Sequence, residues 1–233
     1  MIIDRVNASR GWPLRQPVRT HAMAIEEPKF EILRTDGSIE IRRYQPKLVA
    51  EVLVDGDLSQ ASNRGFRQIA AFIFGNNRAG QTDDPGSATR IPMASPVIVE
   101  PQTQSNTSSE KIGMTAPVTV VPRAVELSSM KSANRWLVSF VMPSKFTLAT
   151  LPLPNDTAIK IREIPATTMA VLRYSWLNGI DRVQEKTEEL SLWLDANHFT
   201  TLGPAQLARY DPPWTLPMLR RNEIMFEVSG PAS

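Results

Sequence analysis

From Phe30 onward the chain alternates apolar and polar positions in short bursts. Phe30–Arg34 and Ile39–Tyr44 flank Asp36-Gly37, which predicts two strands joined by a tight hairpin. In Leu48–Val54, residues Leu48, Ala50, Val52 and Val54 fall on one face of a third strand. The period then lengthens. Phe66, Ile69, Ala70 and Ile73 recur at helical spacing between Ser59 and Phe74, and Gly75 follows as a stop. Phe72 and Phe74 flank this stripe, so the apolar arc spans roughly 200°, wider than a single packing face requires. Either the helix is sunk between two layers, or one flank meets the core and the other lines an apolar groove.

Residues 76–110 read as loops, polar over Gln81–Thr89 and Gln102–Glu110. Arg90–Val99 recurs 21 positions later as Lys111–Val120, too few copies for a solenoid and consistent with one inserted loop or hairpin. Trp136–Met142 predicts a strand, and Leu151-Pro152-Leu153-Pro154 an extended linker. Thr157–Ile164 and Thr168–Tyr174 predict two more strands. A second helix is expected over Gly179–Ala196, with Ile180, Val183, Leu190 and Leu194 inward and a solvated charged face. Gln206–Tyr210 and Glu223–Val228 close the series. Strand, strand, helix and strands thus occur twice, over about 30–145 and 157–229. That predicts an α+β domain of mainly antiparallel strands, not a doubly wound sheet.

Composition narrows the chemistry. The chain has 233 residues, 19 prolines, no cysteine and two histidines. Thiolate metal sites, disulfides and cysteine nucleophiles are therefore excluded, and a multi-histidine site within the chain is disfavoured. The net charge is +2, and residues 1–22 hold Arg5, Arg10, Arg15 and Arg19 against Asp4. The remainder is close to neutral, without the basic footprint of a nucleic-acid partner. No apolar run approaches the ~20 residues of a membrane span. No secretory signal is visible. Residues 1–25 read as a disordered tail or an over-long start with Met23 as the true one. A cytoplasmic location is the default expectation, with targeting by the Arg-rich tail as the alternative.

The usual catalytic words are missing: no G-x-S-x-G, phosphate loop, G-x-G-x-x-G or H-E-x-x-H. His198 follows the second helix, where an imidazole can answer terminal carbonyls; ligation is its alternative role. Arg220-Arg221-Asn222-Glu223 follows the rigid apolar run Tyr210–Met218. Arginines beside an aromatic loop suit a flat ligand carrying carboxylates, or else a junction pinned by ion pairs. Glu223 with Tyr174 or Tyr210 is a second candidate cluster, able to serve as a general base in a cavity if its carboxyl is buried.

Several longer words resemble the SOUL haem-binding family. They are Gly65-Phe66-Arg67 through Ile73-Phe74-Gly75-Asn76, Lys111–Val118, Phe140–Pro143, Leu151–Pro154, and Ala208–Trp214 followed by Arg220–Glu223. The resemblance covers about 26–229, leaving 230–233 as a tail. It implies a pseudo-two-fold, distorted antiparallel β-barrel flanked by two helices, similar to bacterial effector-binding domains. It further implies a carrier or buffer, not an enzyme, for haem or another porphyrin, bound non-covalently. The ligand is expected in an apolar groove on Phe66, Ile69, Ala70 and Ile73, closed by the 211–219 loop through Trp214 and Met218. Arg64, Arg67, Arg220 and Arg221 are the expected partners of propionates. No histidine lies on the first helix or in the loop, so His198 is the one candidate axial ligand outside the tail, and modest affinity is expected. A general sensor of apolar ligands, or a hydrolytic domain built on Glu223, are the alternatives.

Overall fold

A computed structural model describes residues 25–78, 88–102, 130–211 and 215–230. Strands β1 (Phe30–Asp36), β2 (Ile39–Tyr44) and β3 (Lys47–Asp55) lead into helix α1 (Leu58–Ile73). Then come β4 (Asn77–Arg78), β5 (Val97–Pro101), β6 (Arg135–Val141) and β7 (Leu153–Pro154). The second half repeats the plan with β8 (Lys160–Ile164), β9 (Thr167–Tyr174), α2 (Ile180–Ala196), β10 (Thr200–Thr201), β11 (Gln206–Arg209) and β12 (Asn222–Ser229).

The hairpin forms as its sequence predicts. Gly37 takes a φ of +57°, and Asp36 pairs with Ile39. Helix α1 starts one residue before Ser59, because Asp57 caps it by accepting a hydrogen bond from the Gln60 N–H at 2.8 Å. Gly65 lets α1 lie close on the sheet. A Cβ there would come within 2.6 Å of Val138 on β6.

All the strands but β4 and β7, which pair with each other, form one curled antiparallel sheet in the order β1-β2-β9-β12-β11-β5-β6-β3-β8, with β10 on β12. With β1 set aside, the order is a palindrome: β2 answers β8, β9 answers β3, β12 answers β6 and β11 answers β5. The pseudo-two-fold axis runs between β5 and β11, at the Ile98–Ala208 pair. Each half lends its first strand to the other, since β2 pairs with β9 and β8 with β3. The result is a half-barrel with both helices on one face.

Two departures from expectation concern short strands. Val97-Ile98-Val99 lies in a stretch that reads as loop, yet β5 is a central strand of the sheet. Leu153-Pro154 pairs with Asn77-Arg78 rather than serving only as a linker. The second copy of the repeat, 111–120, and residues 1–24 lie outside the described residues.

The main core lies between the sheet and the helices. It includes Val52, Val54, Trp136, Val138, Phe140, Leu172, Ile224 and Phe226 from strands, and Ile69, Phe72, Ile73, Val183, Leu190 and Leu194 from helices. A second cluster (Tyr44, Val49, Ile98, Val141, Met169, Val171, Ala208, Met225) occupies the other face. The curl of the sheet encloses it.

Candidate functional site

α1 packs on β3 and β6, and α2 on β9 and β12. Of the strands between, β11 floors a groove near the N-termini of both helices. It encloses about 240 Å³, with Leu58, Ser59 and Ser62 of α1 on one wall and Leu177, Asn178 and Gly179 before α2 on the other. Leu207 and Arg209 of β11 form the floor, and Arg220 closes one side. The α1 wall continues one and two turns along as Phe66 and Ala70, because residues three and four apart stack on one helix face. Phe66 is half exposed, its ring 5.5 Å from Phe140.

A chain of hydrogen bonds holds the α2 wall. The Tyr174 hydroxyl donates to the Asn178 side-chain carbonyl at 2.7 Å, and Asn178 donates to Asn222 at 2.6 Å. Asn222 in turn donates to the Trp176 carbonyl, and the Trp176 N–H donates to the Pro217 carbonyl. Trp176 is held at a φ of +94°, a rare conformation for so bulky a residue. Its ring is half exposed. Leu177, Leu216, Met218 and Leu219 are also exposed apolar residues on these two connected segments.

The groove's electrostatics are one-sided. None of its described lining residues is acidic. Burial, and then the neighbouring Arg220, lower the Arg209 guanidinium below its ordinary value. Gly179 begins α2 without a side-chain cap, so the positive end of that helix also faces the groove. Arg220 is oriented by donating from Nε to the Thr215 carbonyl at 2.8 Å.

The expected site residues separate into groups. Arg220 lines this groove and Met218 is on its loop, whereas Phe66 and Ala70 lie farther along the same face of α1, outside its lining. Ile69 and Ile73 are fully buried in the core, so the wide apolar arc of α1 is mostly core with an exposed margin. Arg67 is exposed on α1. Arg64 points away, because it stands roughly 140° round the helix from Ser59 and reaches back to the Asp55 carbonyl. Arg221, adjacent to Arg220, is turned elsewhere: it stacks 3.6 Å over the Tyr210 ring and pairs with Glu27. Trp214 lies outside the described residues.

His198 stands away from this groove. It sits exposed past the far end of α2, whose 17 residues span about 25 Å. There it adopts a φ of +59°. Its N–H donates to Asp195 O and that of Phe199 to Leu194 O, the bond pattern that terminates a helix. Among the described residues, no group of three or more His, Cys, Asp or Glu is placed to hold a metal ion.

Glu223 and Tyr210 do meet, on the opposite face of the sheet. Glu223 is 1% exposed. It accepts from Arg42 at 3.0 and 3.2 Å and from the Tyr210 hydroxyl at 2.6 Å. Arg42 also bonds Glu40 and Tyr44 and lies over the Phe30 ring. Burial opposes the charge on Arg42, but Glu223 and Tyr44 outweigh it and raise its affinity for the proton. Burial, with the Glu223 charge, likewise holds the Tyr210 hydroxyl protonated well beyond its ordinary range. Tyr174 takes no part, because alternation along β9 turns it to the helix side.

Reading the residues alone missed Arg209, Trp176 and Leu177. Arg209 was visible inside Ala208–Trp214, and Ser175-Trp176-Leu177-Asn178-Gly179 as an apolar pair before a helix start. Neither carries a signal of facing α1.

A family model described as SOUL heme-binding protein matches residues 25–106 and 102–227. The chain belongs to the SOUL family. No curated protein matches it. Among solved structures it is similar to the C-terminal domain of EcmrR, with 12% identity, a TM-score of 0.53, and coverage of 82% of this chain and 97% of that one. A hydrolase from Listeria innocua is also similar, at 10% identity and a TM-score of 0.48, over 84% of this chain and 94% of that one. At these identities the likeness concerns the fold. SOUL members are haem-binding, and no helix among the described residues is long and apolar enough to cross a membrane.

Proposed function

We propose that this SOUL protein is a haem or porphyrin carrier or buffer, with no chemistry of its own. Its ligand would lie in the groove between α1 and the start of α2. The observation that carries this reading is Arg209: a half-buried guanidinium on the groove floor, with no acidic residue among the described lining residues and the apolar Leu58, Leu177 and Leu207 around it. A flat apolar ring bearing carboxylates matches that combination. Arg209 and Arg220 would meet the propionates, while Phe66, Leu177 and Met218 would cover the ring. The lining fits the ring and its carboxylates but supplies no histidine. Haem held there by Arg209 and Arg220 would bring its own iron chemistry, and burial with propionate pairing would set the affinity. About 240 Å³ is smaller than pockets that enclose a drug-sized ligand, so one face of the ring would stay accessible. That suits a carrier that must release its cargo. The Glu223 cluster gives less support to a hydrolytic role, since both carboxylate oxygens already accept hydrogen bonds.

The test is hemin titration followed by the Soret band on the full chain, Arg209→Met, Phe66→Ala and His198→Ala. Saturation at one equivalent is expected, with roughly tenfold or greater weakening in Arg209→Met, the scale of a lost charge-assisted bond. Unchanged binding in His198→Ala is expected as well. A broad non-saturating change, or identical titrations for wild type and Arg209→Met, would refute the groove reading.

A further inference from the structure

The enclosed face of the half-barrel holds polar groups that porphyrin binding does not use. A cavity of about 220 Å³ lies there, over Val49, Ile98, Ile164 and Met169. Strand alternation brings Ser139, Glu100, Glu227 and Lys47 to it. Each stands two residues from a member of the apolar cluster on that face: Val141, Ile98, Met225 and Val49. Ser139 is 6% exposed, and among the described residues its hydroxyl has no hydrogen-bond partner. Buried hydroxyls are normally paired, so this one is available to a bound molecule.

The charges in the lining divide by position. Glu100 on β5 and Glu227 on β12 flank Gln206 of β11. Glu100 accepts from the neutral amides of Gln102 and Gln206, each at 3.0 Å. Neither glutamate makes an ion pair among the described residues. On the other side, Arg162 of β8 is already paired with Glu51. Lys47 of β3 makes no ion pair among the described residues, and its ammonium lies 4.7 Å from the centre of the Tyr44 ring. The glutamates of the adjoining cavity do not pair with it: Glu26 is held by Ser144 and Glu27 by Arg221. Three strands separate β12 from β3 in the sheet, and its curl carries both round one cavity. Carboxylates without counter-ions therefore stand on one side, an ammonium without one on the other, and Ile98 on a strand between.

We infer that this cavity binds a small ω-amino acid, a zwitterion with its two charges at the ends of a short apolar chain. Lys47 takes the carboxylate, Glu227 with Glu100 takes the ammonium, and the chain lies over Val49 and Ile98. A ligand of one charge leaves one side uncompensated. An α-amino acid carries both charges on one carbon and cannot reach both sides. The volume is below that of pockets for drug-sized ligands, which limits the chain to a few carbons. Burial raises the Glu100 carboxyl above its ordinary range and lowers Lys47 to about 8, and an opposite charge at each end would reverse both.

The experiment titrates the full chain, carrying carbon-13 at its methionine methyls, with 6-aminohexanoate, hexylamine and hexanoate at pH 7. Met169 reports this cavity, and the exposed Met218 reports the porphyrin side. 6-Aminohexanoate is expected to shift Met169 saturably and to bind about tenfold or more tighter than either singly charged probe, the scale of one charge-assisted hydrogen bond. Met218 should not move. Lys47→Met should abolish the preference over hexylamine, and Glu227→Gln the preference over hexanoate. The comparison of probes uses one unaltered chain, so it does not depend on a variant folding. A Met169 shift that does not saturate by about 20 mM, or equal or tighter binding of hexylamine or hexanoate, would overturn the proposal. So would a preference that survives both substitutions.

Discussion

The Arg42–Glu223 pair provides the sharpest test of how the helix-free face is built. Its side chains are 6% and 1% exposed, so either charge left alone would have little water to turn to. Removing one partner of such a pair costs about 3–5 kcal/mol, whereas replacing both with apolar groups is often close to neutral. Glu223→Gln leaves Arg42 with Glu40, which holds its Nε at 2.6 Å. Its cost should therefore fall near the low end, about 3 kcal/mol. Arg42→Met leaves Glu223 with only the Tyr210 hydroxyl and should cost more. The double variant Arg42→Met/Glu223→Leu is expected to be more stable than Arg42→Met alone, with a coupling of about 2 kcal/mol or more. Urea unfolding measures all of this, provided the m-values agree. Additive single effects, or losses below about 1 kcal/mol each, would show that water reaches the pair and that the enclosed face is open. Haem titration on Glu223→Gln gives an independent reading. The groove lies on the opposite face, so affinity should be unchanged.

Gly65→Ala should lose about 1–2 kcal/mol, because overpacking against Val138 exceeds the gain in helix propensity; thermal unfolding that shows no loss would mean α1 moves freely off β6. Asn178→Ala should weaken hemin binding without touching the arginines, because Tyr174 and Asn222, the latter holding the Trp176 carbonyl, lose their shared partner; an unchanged titration would separate that network from the site. Lys47→Met should be more stable than wild type at pH 7. A folded-state pKa of about 8 lies below the unfolded value, so the wild type is penalised below pH 8. Its stability then recovers as pH rises toward about 10.4. The advantage of Lys47→Met should shrink by pH 9.5 in parallel urea titrations, and a constant advantage would contradict the burial of the ammonium.

Most elements were legible because they rest on local pattern. Alternation announced β2, β3, β6, β9 and β12, a helical stripe announced α1, and Asp36-Gly37 announced the hairpin. The doubled order of elements pointed to the pseudo-two-fold arrangement. β5 escaped because its apolar run is short and bracketed by Pro96 and Pro101, which read as breakers. Only the sheet order makes it central.

By itself the sequence determined most of the segments that form strands and helices, the duplicated plan, the absence of thiolate chemistry, and the family words around α1 and before β12. The tertiary structure decided which side chains meet. Strand side chains change face with every residue, so one position separates Leu207, on the groove floor, from Ala208, on the enclosed face. Adjacent arginines likewise part, Arg220 to the groove and Arg221 to Tyr210. Tyr174 and Glu223 fall on opposite faces. Arg209 comes to line the groove because β5 and β11 meet at the axis and bring α1 and the start of α2 together. That meeting depends on long-range pairing, and no local period encodes it.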